Sequence, residues 1–303
     1  MPGWVVLLIA SPLLIIASLG GGMLPSIIKL THLRMQLALS FVSGLMLGVA
    51  VLHLMPHAVI ILDNSVDKAA FMILLGMVGV FLLMRFLHVH SIEPGIEPHT
   101  SCEQDHEHNH EDEQTHHVHP GPAKGGAVRW MTLLAGLSLH SIVDGAALAA
   151  AISFEEGHAI PGLLVLIVVV LHKPLDALAI TATIGNDETV RRRVNLLYAL
   201  IAPLAAWLAY LGLMGVGESG SVVTGYAMAF CAGAFICVAL ADLMPEVQFH
   251  AHHRIQLTAA LAIGVVVALA LGIIEGHGHG LGHMEHGADS HDEHDHSAHD
   301  HAH

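Results

Sequence analysis

The sequence predicts an all-α, polytopic membrane protein of eight transmembrane helices with inverted-repeat pseudo-symmetry. Three observations carry that fold class. Only 12% of the 303 residues are charged, against about 25% in a typical soluble domain, and the mean hydropathy is +0.64. Apolar runs of about 20 residues, the length a spanning helix needs, recur along the chain. Two pairs of these runs align with one another at polar as well as apolar positions. Aromatic residues make up 5% of the chain, which argues against a porin-like barrel with its aromatic girdles.

The elements follow in order. The first span, 4–28, comes after Met1, Pro2 and Gly3 with no basic segment, so it reads as a retained span and not a cleaved signal peptide. Spans two and three cover 36–62 and 69–88. Spans four and five cover 128–152 and 159–184, span six 195–215, span seven 221–248 and span eight 256–274. Proline and charge interrupt the fifth and seventh. Lys29, Arg34, Arg85, Lys124, Arg129, Arg191, Arg192, Arg193 and Arg254 fall in or beside the odd-to-even connections. Only Lys68 lies opposite them, and Lys173 is within span five. The positive-inside rule then puts both termini outside and the 89–127 connection in the cytoplasm. A compact chain without a signal peptide suggests a bacterial cytoplasmic membrane.

Two stretches are of low complexity. Residues 88–119 hold nine His and residues 277–303 hold ten, among many Asp and Glu. Neither can build an apolar core, so each is expected to be disordered without a ligand. They read either as a solvated linker and tail or as weak multi-site metal buffers, the latter favoured by so many clustered imidazoles. The expected organisation is a transport domain over 1–275, with its His-rich loop at 89–127, and a tail over 276–303. Cys102, Cys231 and Cys237 form no Cys-x-x-Cys pattern and no disulfide framework.

The polar residues inside the spans carry the functional signal. Residues i and i+4 share one helix face. His140 and Asp144 have that spacing in span four, and His172 and Asp176 repeat it in span five. Two further pairs occur: His53 and His57 in span two, Asp242 and Glu246 in span seven. A charged group at mid-bilayer costs roughly 2.5–3.5 kcal/mol on insertion scales, which makes an ion or proton site the first hypothesis. The alternative for a lone membrane His is a hydrogen bond to a neighbouring helix.

Span two aligns with span seven without gaps: Phe41, Gly44, His53, Pro56 and His57 match Phe230, Gly233, Asp242, Pro245 and Glu246. Span four aligns with span five through His140/His172 and Asp144/Asp176. An odd number of crossings separates each pair, so the partners run antiparallel, as in inverted-repeat transporters with midplane sites. The four polar pairs then mark a path: His53 and His57 toward the outer end, the central four at mid-depth, Asp242 and Glu246 toward the inner end. Pro56, Pro174 and Pro245 each free a backbone carbonyl beside it.

Two imidazoles and two carboxylates suit Zn²⁺ and tolerate Fe²⁺, Mn²⁺, Co²⁺ or Cd²⁺. Two carboxylates balance a divalent ion, so the loaded site is expected to be near neutral. Met46, near mid-span, is a weaker sulfur candidate beside ordinary packing. Lys173 needs a partner, either Asp144 or Asp176, and is read as filling the space of a second cation. Gly145 and the alanines after it allow close helix approach.

These motifs resemble those of the ZIP (Zrt/Irt-like) family of divalent metal transporters. The likeness rests on His140-x-x-x-Asp144-Gly145, His172-x-x-x-Asp176, His53-x-x-Pro56 and Asp242-x-x-Pro245-Glu246, in that family's setting of eight spans and a His-rich loop after span three. It extends to about residue 275. The resemblance implies an eight-helix bundle, often a homodimer, that moves Zn²⁺ and related ions toward the cytosol. It implies that His140, Asp144, His172 and Asp176 are the central ligands. Ser141 and Lys173 fall at positions that help bind a second metal in binuclear members. Aspartate here replaces a commoner glutamate, lysine replaces a span-five ligand, and span six lacks a carboxylate.

The expected function is therefore secondary transport of zinc by alternating access. The chain shows no Walker A sequence for primary pumping, and no nucleic-acid partner is expected. The alternatives are an intramembrane zinc-dependent hydrolase, a zinc exporter of another fold, and a metal sensor. The internal symmetry favours transport, since a hydrolase needs no two matched access routes.

Overall fold

The computed structural model describes residues 1–27, 32–89, 125–184, 187–217, 220–249 and 254–280. Among them the chain forms α1 (Gly3–Ile27), α2 (His32–Val49), α3 (Met55–Ile61), α4 (Val66–Val89), α5 (Gly125–Phe154), α6 (Leu163–Thr183), α7 (Glu188–Gly215), α8 (Gly220–Phe249) and α9 (Arg254–Gly280), and no strand. A π-helical turn, Ala50–Leu54, joins α2 to α3 in one rod. Eight rods are long and apolar enough to cross a membrane. Helix is the form such runs must take, because hydrocarbon offers backbone groups no partner outside the segment. Leu197 and Leu208 are 65% and 71% exposed, as befits side chains facing lipid.

Several ends differ from the hydropathy reading. Helix α7 starts at Glu188, ahead of residue 195, because Asp187 caps it: its side chain accepts from the amides of Thr189 and Val190. Helix α6 starts at Leu163, after 159, because Gly162 turns the chain at φ 72°. Helix α9 continues to Gly280, past the end of its apolar span at 274, since helical hydrogen bonding does not stop where the apolar run does. Most of the 89–127 loop and the tail beyond Gly280 lie outside the described residues.

Packing groups the spans into two sets that meet along α5–α8 and α2–α6. Helix α1 lies along α6 and α7, and α5 lies along α7 and α6. The α2–α3 rod lies along α9 and α8, and α4 lies along α8. Small residues set these approaches. A Cβ on Gly44 would sit 2.1 Å from the Leu261 carbonyl oxygen, and one on Gly264 would sit 2.1 Å from that of Phe41. The α4–α8 crossing repeats the arrangement: a Cβ added to Gly233 would run into the Ile73 carbonyl oxygen, and one added to Gly76 into that of Phe230. The aligned pairs Phe41/Phe230 and Gly44/Gly233 thus occupy matching places at two separate crossings. Side-chain bonds tie the first set together. Trp207 Nε1 donates to Ser11 Oγ at 3.0 Å, and Asn195 Nδ2 to the Leu19 carbonyl at 3.2 Å.

Candidate metal centre

Helices α5 and α6 bring His140, Asp144, His172 and Asp176 together. One ligand atom from each lies within 4.8 Å of the others. Helix α5 also lies close against α7: a Cβ on Gly145 would lie 2.6 Å from the Ala202 carbonyl. On the other side, Gly21 of α1 abuts the backbone of Pro174, around which α6 remains a continuous helix.

His172 Nδ1 donates to the Val168 carbonyl at 2.8 Å. A carbonyl can only accept, so the proton is on Nδ1 and a neutral ring turns its Nε2 lone pair inward. That atom lies 3.2 Å from Asp144 Oδ2 and 3.9 Å from Asp176 Oδ2. His140 Nε2 lies 3.6 Å from Asp144 Oδ1, and neither of these two buried atoms has a hydrogen-bond partner. With its proton on Nδ1, His140 also turns a lone pair toward Asp144, and such atoms in a dry interior call for a cation between them. Four ligands at about 2.0–2.1 Å around a tetrahedral Zn²⁺ stand about 3.4 Å apart, close to these separations.

Lys173, 2% exposed, meets both of its expected partners. Its Nζ donates to Asp144 Oδ2 at 2.5 Å and to Ser141 Oγ at 2.7 Å, and lies 3.6 Å from Asp176 Oδ2. The ammonium therefore sits on the far side of Asp144 from His140. It adds to the charge balance of the site: two carboxylates and one ammonium leave one net negative charge before any ion is bound. The sequence reading missed Tyr198 on α7. Its hydroxyl donates to Asp176 Oδ2 at 3.1 Å, and its ring centroid lies 5.5 Å from Lys173 Nζ. No local motif marks Tyr198, because span six is joined to the cluster only by tertiary packing.

The remaining candidates separate. His53 and His57 join Glu155, at the end of α5, in a second group that could hold an ion. Glu155 was also missed, since the hydropathy reading ended span four at residue 152. Burial pushes the Glu155 carboxyl up, but hydrogen bonds from His53 Nε2 (2.9 Å) and the Gly162 amide (2.6 Å) outweigh it and hold the group below the ordinary carboxylate range. Met46 is packed in the apolar core. The side chains of Asp242 and Glu246 lie outside the described residues.

The pattern of the family described as ZIP Zinc transporter matches residues 5–272. Zinc transporter ZIP9-A of Xenopus laevis is 28% identical over 267 residues, 79% of this chain and 84% of that protein. Zinc transporter ZIP9-B of Xenopus laevis is 35% identical over 155 residues, 48% of this chain and 50% of that protein, so the matched stretch spans half of that relative's length. Zinc transporter ZIP10 of Homo sapiens is 31% identical over 157 residues, 46% of this chain and 17% of that protein.

Proposed function

The chain belongs to the ZIP zinc transporter family, and from that premise we propose that it carries Zn²⁺ across a membrane into the cytosol by alternating access, with His140, Asp144, His172 and Asp176 holding the ion in transit. The observation that supports this reading is the pair of unsatisfied buried atoms, His140 Nε2 and Asp144 Oδ1, facing each other at 3.6 Å. Such a pair is unfavourable empty and favourable around a cation. Fe²⁺, Mn²⁺, Co²⁺ and Cd²⁺ suit the same donors.

The direction rests on the family resemblance, and the orientation, with both termini outside, rests on the placement of Lys and Arg. The relatives named above are animal proteins. The homodimer implied by the resemblance belongs to the same proposal and is read from the mass of the solubilised protein. We assign one transported ion to the central site, with Lys173 in the place of a second. Lys173→Glu should raise by one the number of metal ions that survive dialysis against a weak chelator; an unchanged number refutes that role.

The primary test is zinc entry into sealed vesicles holding the purified protein, with Asp144→Ala/Asp176→Ala beside the wild type. The wild type should load zinc and the double variant should fall to the background of empty vesicles. Absence of flux for any divalent ion, with a zinc still tightly bound, would favour the hydrolase reading.

A further inference from the structure

We propose that His53, His57 and Glu155 form a second divalent-metal site, which receives Zn²⁺ before it reaches the central cluster. The three side chains each offer one ligand atom within 4.8 Å of the others. His53 and Glu155 are each 5% exposed, and His57 is more open. The imidazole centroids of His53 and His57 are 4.3 Å apart with their planes at 66°, and Glu155 Oε1 lies 2.9 Å from His53 Nε2. Two imidazoles and one carboxylate are a borderline donor set suited to zinc.

The site is built into the backbone. Met55 N–H bonds to the Ala50 carbonyl, five residues back, in the π-helical turn that carries His53. Pro56 explains the turn: it has no N–H for the Leu52 carbonyl, so the helix widens just before it. Such turns are frequent at functional positions. Glu155 Oε2 is held by the Gly162 amide at 2.6 Å, which fixes the carboxylate independently of any ion.

Three protein ligands leave a fourth tetrahedral position open, as in sites that exchange their ligands and unlike closed structural ones. Glu155 follows Asp144 by eleven residues, about three helical turns, so both lie on one face of the α5 path, roughly 16 Å apart. The site also joins the two packing sets: His53 and His57 belong to the α2–α3 rod, Glu155 to the end of α5. An ion held there spans the seam that a rocking motion must open. The loading role rests on the transport reading; metal binding itself does not.

The test uses the full chain carrying Asp144→Asn and Asp176→Asn, labelled with diethyl pyrocarbonate at increasing zinc and read peptide by peptide by mass spectrometry. Zinc should slow modification of His57 in this background. Adding Glu155→Gln should raise the zinc concentration for half-protection by about tenfold or more. A His57 modification rate independent of zinc overturns the proposal, and that comparison needs no change in the outer cluster itself. Zinc protection of His57 together with no zinc entry by the wild-type chain would refute transport and leave this site standing. Flux without protection would do the reverse.

Discussion

Asp144 has three claims on its two oxygens. Oδ2 accepts from Lys173 and faces His172, while Oδ1 faces His140 with no hydrogen bond. Breaking a buried ion pair from one side costs roughly 3–5 kcal/mol, because the other charge is left behind. Asp144→Asn leaves Lys173 with Asp176, 3.6 Å away, as its remaining countercharge. The loss of stability should therefore fall near the lower end of that range. Adding Lys173→Met removes the stranded ammonium, and the double variant should recover most of the melting temperature while zinc entry stays abolished. A double variant no more stable than Asp144→Asn alone would show that the pair is not coupled. The sequence showed the four central side chains because they repeat at a fixed spacing within single helices. Tyr198 and Glu155 reach their clusters from a different helix and from a helix end, and neither position has a periodic signature.

At the scale of the helices, hydropathy located every span but not every end. Ends are set by caps and turns: Asp187 for α7 and Gly162 for α6. The π-helical turn was foreshadowed only by Pro56, whose missing N–H told that a carbonyl would be freed but not that the helix would widen. The reciprocal glycine contacts allow a signed comparison. A Cβ at Gly233 would lie 1.9 Å from the Ile73 carbonyl oxygen, an obstacle that no rotamer change removes. Overpacking of this kind costs about 1–3 kcal/mol and sometimes more, so Gly233→Ala should lower the melting temperature and reduce the yield of folded protein. Gly79, in α4, has nothing within 4 Å of the same added atom. Gly79→Ala gains helix propensity, up to about 1 kcal/mol, and should be neutral or stabilising. Equal effects at the two sites would mean that the α4–α8 crossing is looser than its carbonyl contact implies.

For the whole molecule, every described group of the central cluster belongs to one packing set. His140, Ser141 and Asp144 come from α5, His172, Lys173 and Asp176 from α6, and Tyr198 from α7. The other set, made by the α2–α3 rod, α4, α8 and α9, touches the cluster's surroundings along α5–α8 and α2–α6. The exchange of partners seen in the sequence between spans two and seven, and four and five, reappears in this packing. The α1–α6 contact answers to α5–α7, and the α2–α9 contact to α4–α8. In the alternating access proposed above, matched halves of this kind would take two equivalent arrangements, one opening to each side. The seam is therefore where transport should be most easily stopped. Cys231 of α8 places its Sγ 3.7 Å from the Val143 carbonyl of α5. Val143→Cys, in a chain with Cys102→Ser and Cys237→Ser, adds a second thiol to the α5 residue whose carbonyl meets Cys231. Mercuric ion bridging the two thiols should reduce zinc entry at least tenfold, and excess thiol should restore it. Bridged protein, verified as such by mass spectrometry, that still transports at the unbridged rate would mean that the ion passes between the sets without their moving.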